Sequence, residues 1–212
     1  MVETKIIIVG TGPEGRIAAD IFLAMGTDVL GFLETSEEQK ALELNDINVF
    51  ARFGSKDAQK VLADQDLQYI VTLGDIAERR SIYEAAAKST KRPASNGVHP
   101  LAWVSQNAKI GFGNLVNAHA AINANAEIGD MNHLHTGASI EPDAKVGNYC
   151  TLSPGVRVGA KCEIADDVFI GTGAVIYPGV KVGKGAIIGA GSVVLREVKK
   201  GQTVHGNPAK EI

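Results

Sequence analysis

Cysteine is scarce in this 212-residue chain, with only Cys150 and Cys162. So few cysteines give no disulfide framework of the kind that small secreted scaffolds need. The two that exist are open to three readings: a thiol nucleophile, a disulfide, or small buried hydrophobes. Excess charge is lacking too. A net charge of −3 provides no basic field for nucleic acid or an anionic membrane. Long apolar runs are missing, and nothing approaches the ~20 residues of a membrane-spanning helix. The opening MVETKIIIVG has an apolar run too short for a secretory leader and no cleavage site. A cytoplasmic home is therefore expected. Hydrophobic content of 45% and charged content of 21% are ordinary for one large or two modest globular domains.

What is present is a repeat. From Val104 to Val194, every sixth residue is Val, Leu or Ile, sixteen positions without a gap. Two residues before each stands a small one: Ala, Asn, Val, Cys or Ser. Gly often follows, as at Gly111, Gly129, Gly147, Gly159, Gly171, Gly183 and Gly189. Helices repeat at 3.6 residues and strands at 2, and neither imposes six. A period of six signals a parallel β-helix, in which each hexad is one short strand and a corner. Three hexads make one 18-residue triangular coil, with the aliphatic residue pointing inward. The following glycines are expected to serve corners with unusual backbone angles. Cys150 and Cys162 both fall on the small inward position.

Residues 1–96 follow a different grammar. Lys5 to Val9 reads as a buried strand and Pro13 to Met25 as a helix. Asp28 to Leu33 reads as a second strand and Glu37 to Leu44 as a short helix. Lys56 to Ala63 is a third helix, Tyr69 to Leu73 another strand, and Ile76 to Lys88 a well-patterned helix. Alternating strands and helices imply a small parallel sheet of about four strands. Lys88 to Gly97 is polar and reads as a hinge. The β-helix is expected over 99–198, followed by a tail, 199–212, too irregular to continue the repeat.

Gly10-Thr11-Gly12-Pro13-Glu14-Gly15 follows a strand and opens a helix, the context that G-x-G-x-x-G requires. Backbone amides and the helix dipole there can hold a phosphate. Glu34, ending the second strand, is the candidate acid for ribose hydroxyls. The sheet is too small for two mononucleotide halves, which favours a nucleotide with one diphosphate. NAD(P) and a purely structural turn are the other readings.

These features together resemble a family. GTGPEG, then Gly31 to Glu34, then Leu73-Gly74-Asp75 with Arg79 and Arg80, then a hexapeptide β-helix ending GNPAKEI, resemble the bacterial acetyltransferases of nucleotide-linked amino sugars and sialic acid. The resemblance implies an α/β domain, Rossmann-like with a parallel sheet, followed by a left-handed parallel β-helix. It also implies a homotrimer. The N-terminal domain would bind the nucleotide sugar through Gly10, Gly12, Gly15, Glu34, Gly74, Asp75 and Arg79. Acetyl-CoA, as co-substrate with no metal, would lie along the β-helix between subunits, where Gly171, Gly173, Gly189 and Gly191 allow close approach. A histidine with an acidic partner would take a proton from the attacking amine or hydroxyl.

One departure bears on that chemistry. The family stretch T-G-A-x-[VI]-[DE]-H-[DE] reads here Thr136-Gly137-Ala138-Ser139-Ile140-Glu141-Pro142-Asp143, with Pro142 in the histidine's place. Proline's side chain cannot carry a proton. A second frequent family histidine is replaced by Thr151. His133 and His135 flank inward Leu134 nearby, and 18-residue stacking puts them beneath Thr151 and Ser153. They are candidate bases, with Glu141 and Asp143 as acids. Interface polarity and a metal site shared across a trimer are the other readings. His99 reads as structural and His119 as a corner residue. His205, Lys199, Lys200 and Lys210 read as solvated or as coenzyme contacts. The leading expectation is an N- or O-acetyltransferase of surface glycan synthesis. The alternatives are a catalytically impaired binder of nucleotide sugar or acyl-CoA, a metal-dependent enzyme such as a hydratase, and a nicotinamide oxidoreductase.

Overall fold

The computed structural model describes residues 5–36 and 47–212. The chain divides into two compact units, Met1–Pro100 and Leu101–Ile212. The short helix expected over Glu37 to Leu44 lies outside the described residues.

In the first unit, strands β1 (Lys5–Val9), β2 (Asp28–Glu34), β3 (Val49–Arg52) and β4 (Leu67–Val71) form one sheet in the order β3-β2-β1-β4. All pairs are parallel. Ile6 to Val9 are fully buried, as a central parallel strand covered on both faces requires. A bulge pairs Ile6 with Val29 and Ile7 with Gly31, leaving Leu30 outside the ladder.

Among the described residues of this unit there are three helices. Helix α1 (Pro13–Ala24) opens with Gly12 as N-cap and Pro13 at the first helical position, where a missing N–H costs nothing. Helix α2 (Lys56–Ala63) is capped by the Ser55 hydroxyl, which accepts from Ala58 N at 3.2 Å. Helix α3 (Ile76–Thr90) is capped by Asp75, which accepts from Glu78 N at 2.8 Å. It ends where Lys91 turns left-handed at φ 55°. Helix α3 therefore takes up the start of the segment expected as a hinge. The edge strand β3 has no aliphatic run, and its residues alternate between partly buried and exposed. That is why the sequence pattern passes over it.

The second unit is the β-helix, left-handed, with two-residue strands stacked parallel at a spacing of 18. Lys109 pairs with Glu127, His133 with Thr151, and Ser139 with Arg157. Of the sixteen aliphatic positions, Val104 and Ile110 are only partly buried and the rest are buried. These two belong to the first coil, which has a stacked coil on one side only. Cys150 and Cys162 are fully buried thiols outside any disulfide. Burial pushes the Cys162 thiol pKa up. Two asparagines take the small inward position, and their carbonyls brace the next coil. Asn114 Oδ1 accepts from Asn132 N at 2.9 Å, and Asn132 Oδ1 from Cys150 N at 2.7 Å.

The glycines after the aliphatic residues have a different reason from the one expected. None of the seven has a positive φ. A β-carbon at Gly159 would lie 2.7 Å from Ile176 O, and one at Gly171 2.6 Å from Ala190 N. They let one coil pass close over the next. The left-handed corner falls two residues later. From 113 to 191 every sixth residue has φ near +60° to +77°: seven glycines, and His119, Asn125, Met131, Asp143, Tyr149, Lys161 and Asp167.

The repeat does not stop at Val194. Val198 bridges to Val182 and Val204 pairs with Ile188, so the last coil is 16 residues long. Lys210–Glu211 then turns back, antiparallel to Val204–His205. One face carries a ladder of charge. Outward Lys109, Glu127, Lys145, Glu163 and Lys181 alternate in sign up the stack. Glu127 meets Lys109 at 3.1 Å and Lys145 at 3.8 Å, and Lys181 meets Glu163 at 2.9 Å. A hydrogen bond from Lys109, with its charge and that of Lys145, lowers the Glu127 carboxyl pKa. The Glu163 hydrogen bond likewise raises that of Lys181. All these side chains are exposed, so such pairs add little stability.

Candidate functional site

The carboxyl ends of β1, β2 and β4 carry the residues singled out in the first unit. The chain runs from β1 to β2 on one side, and β4 joins on the other. The crevice outside such a reversal is where open α/β sheets take ligands. Gly10 has φ 114°, and a β-carbon there would lie 3.0 Å from Thr72 O. At Gly15 it would lie 2.1 Å from Gly10 O, so α1 sits on the turn with no room for a side chain. Gly12 is extended at the helix start with no side-chain cap. Thr72 closes the base of the turn, its hydroxyl donating to Val9 O at 3.2 Å.

Glu34 is 4% exposed at the tip of β2. Its Oε2 accepts from the Thr11 hydroxyl at 2.5 Å, and its Oε1 from Thr35 N at 2.8 Å and Ser36 N at 2.9 Å. Burial raises its pKa, but these hydrogen bonds outweigh burial and leave the carboxyl below its ordinary value. A lowered carboxyl pKa contributes stability above the unfolded value of about 4.3 that is lost as pH falls through the folded value. The stability difference between wild type and Glu34→Gln, from urea melts, is therefore expected to shrink as pH drops from about 5 to 3.

Asp75 and Arg79 have structural work. Asp75 caps α3. Arg79 is fully buried and donates from Nη1 to Leu73 O at 2.7 Å and Gly74 O at 3.4 Å, holding the loop after β4. Gly74 is exposed, and a β-carbon there would meet the Glu14 carboxylate at 3.0 Å.

In the β-helix, His133 is 1% exposed and stacks between Leu115 and Thr151. His135 is half-buried, and the two rings meet edge to face with centroids 6.2 Å apart. Glu141 lies beyond the next strand of the coil and accepts from Asn123 Nδ2 at 3.3 Å. Asp143 takes a left-handed corner, φ 61°, and accepts from Asn125 Nδ2 at 3.2 Å. Pro142 between them uses only its carbonyl, which accepts from Lys161 N at 3.0 Å. The structure thus brings the two histidines together and gives each acid an asparagine from the coil below. The 18-residue spacing of Asn123 from Glu141 and Asn125 from Asp143 was the signal for that support. Gly171 and Gly189 are needed for coil stacking, whereas Gly173 and Gly191 are left-handed corners with open space beside them. Among the described residues, no three His, Cys, Asp or Glu side chains gather as a metal site. No helix among them is long and apolar enough to cross a membrane.

Gly15→Val is expected to weaken binding of a nucleotide diphosphate or nucleotide sugar at least tenfold while the β-helix stays folded. Calorimetry reads the first and circular dichroism the second. Unchanged affinity would mark the turn as structural only.

The chain matches the PglD N-terminal domain over residues 5–86 and the bacterial transferase hexapeptide (six repeats) over 125–160 and 161–196. No curated protein sequence matches it. Among solved structures, the acetyltransferase domain of PglB from Neisseria gonorrhoeae is 28% identical, with TM-score 0.87, covering 98% of this chain and 99% of that one. Perosamine N-acetyltransferase from Caulobacter crescentus is 29% identical, with TM-score 0.90, covering 100% of this chain and 98% of that one. It was crystallised with CoA and GDP-perosamine as a variant with one histidine changed to asparagine. WeeI from Acinetobacter baumannii, at 19% identity and TM-score 0.64, shares the fold.

Proposed function

Because the chain belongs to the bacterial sugar acetyltransferases that join a PglD N-terminal domain to transferase hexapeptide repeats, we propose that it transfers an acetyl group from acetyl-CoA to a nucleotide-linked amino sugar in surface glycan synthesis. The acceptor is an amine or a hydroxyl, and the protein works in the cytoplasm as a homotrimer. The observation that carries the reading is domain order. The glycine turn and its crevice precede a hexapeptide β-helix, and the chain matches over nearly its full length an N-acetyltransferase crystallised with CoA and GDP-perosamine.

The residues divide the chemistry as follows. The crevice at Gly10, Gly12 and Gly15 takes the diphosphate on backbone amides, with Glu34, Gly74, Asp75 and Arg79 shaping it. Gly173 and Gly191 lie beside the pantetheine chain, with Gly171 and Gly189 holding the coils beneath it. The acceptor nitrogen or oxygen attacks the thioester carbonyl, its proton goes to a base, and the coenzyme leaves as the thiol. With Pro142 in the usual base position, His135 takes that proton. His133 packs against it, and Glu141 and Asp143, beyond the next strand of the coil, are the candidate acids. The direct test mixes the protein with acetyl-CoA and a panel of UDP- and GDP-linked amino sugars and measures thiol release and acetylated product. Product with none of them would overturn the transfer reading.

A second reading has its own support. Thr136 to Asp143 keeps the acids but carries Pro142, and the Caulobacter enzyme still holds both ligands with a histidine replaced. A chain that binds nucleotide sugar and acyl-CoA without transferring would look the same. It predicts calorimetric binding of both ligands with no thiol release.

A further inference from the structure

We propose that Glu14 is a counter-anion built into the nucleotide crevice: its carboxylate occupies space that a ligand's phosphate must enter, and so sets which nucleotides bind. This rests on reading the crevice as a nucleotide-sugar site. Glu14 is the second residue of α1, after Gly12 as N-cap and Pro13. Its carboxylate reaches across to the loop after β4. A β-carbon at Gly74 would lie 3.0 Å from Oε1, 3.3 Å from Cδ and 3.4 Å from Oε2. A β-carbon at Gly12 would lie 3.7 Å from the same Oε2. The group therefore bridges the two loops that bound the crevice, and Gly74 leaves room for it.

The neighbouring acid differs in kind. Glu34 is fixed by one hydroxyl and two backbone amides. The carboxylate of half-buried Glu14 makes no hydrogen bond or ion pair among the described residues. The positive end of the helix dipole favours an anion at this point, and the carboxylate supplies one while the crevice is empty. An arriving phosphate wants the same field and meets a like charge a few ångströms away. It must push Glu14 aside, whereas a nucleoside without phosphate need not. The carboxylate thereby lowers affinity for free diphosphates relative to ligands whose other parts repay the displacement.

The test is calorimetry with UDP, GDP and uridine on wild type, Glu14→Gln and Glu14→Ala. Removing one charge close to a phosphate in a partly solvated cleft is expected to tighten UDP or GDP about tenfold in both variants. Uridine binding should not change, and added salt should narrow the gap. A helix-stabilising role alone would not separate the diphosphates from the nucleoside. If wild type binds a diphosphate and both variants bind it equally or more weakly, the counter-anion assignment is overturned. If none of the three proteins binds a diphosphate, the nucleotide reading of the crevice falls with it.

Discussion

Alanine at either His133 or His135 is expected to lower kcat for acetyl transfer at least tenfold, with KM for acetyl-CoA nearly unchanged. Some group must remove the proton that the attacking amine or hydroxyl sheds, and a positioned base is typically worth about 10²–10⁴-fold. Pro142 offers none. His133 and His135 stack beneath Thr151 and Ser153, with their rings 6.2 Å apart. In the proposed mechanism the half-buried His135 meets the acceptor and the enclosed His133 holds its partner. A lost positioning residue should depress kcat and shift its pH profile, and a lost base should flatten that profile. Pro142→His supplies the opposite arm. Wild type without detectable transfer that gains it on this change would support the binding reading and sink relocated catalysis. Full activity in the double alanine variant would sink it as well. Proximity of an acceptor already deprotonated in solution would then be the remaining account, since positioning alone can contribute several kcal/mol.

Valine at Gly171 is expected to destabilise the β-helix by about 3 kcal/mol or more, the range of severe overpacking. The atoms that a β-carbon would strike are backbone: Ala190 N at 2.6 Å, Ala190 Cα at 2.9 Å and Gly189 C at 3.0 Å. Backbone in a stacked coil cannot rotate away as a side chain can, so the coils must part. For a unit of this size the melting temperature should fall by roughly 10 °C. The control lies two residues away. Gly173 has φ 69° with nothing within 4 Å of its missing β-carbon. Gly173→Asn should be nearly neutral, since asparagine tolerates that region, and Gly173→Ala should cost only about 1 kcal/mol. Equal losses at 171 and 173 would contradict the assignment of the two glycines to different duties. Thermal melts by circular dichroism separate the cases.

That pair of glycines marks where sequence reasoning succeeds and where it stops. The period of six was legible because only an inward, enclosed residue must be aliphatic at every turn. The small residues two positions earlier, Cys150 and Cys162 among them, follow from the same crowding. Helix α2 was legible over the span it occupies, Lys56 to Ala63. What a glycine is for was not legible, because close approach and positive φ leave the same letter. The tail escaped for a related reason. Thr203–His205 joins the stack at a spacing of 16, which a strict six-residue count rejects. In the first unit, G-x-G-x-x-G located the turn, but nothing in the pattern shows that Glu14 folds over Gly74 rather than into solvent. The histidines were placed correctly in their column by counting 18, and the asparagines beneath Glu141 and Asp143 were available by the same count.

The alternating charges on one face turn the β-helix into a module with a parity. Excising one coil around Lys145 would bring Glu127 directly under Glu163, like against like. Excising two, so that Glu127 meets Lys181, would restore the pattern. The natural unit of shortening or lengthening is therefore 36 residues, twice the 18-residue spacing at which these strands pair. Coil-deletion variants taken two at a time should fold with their surface intact. Those taken singly carry a like-charge seam along that face, which salt would soften.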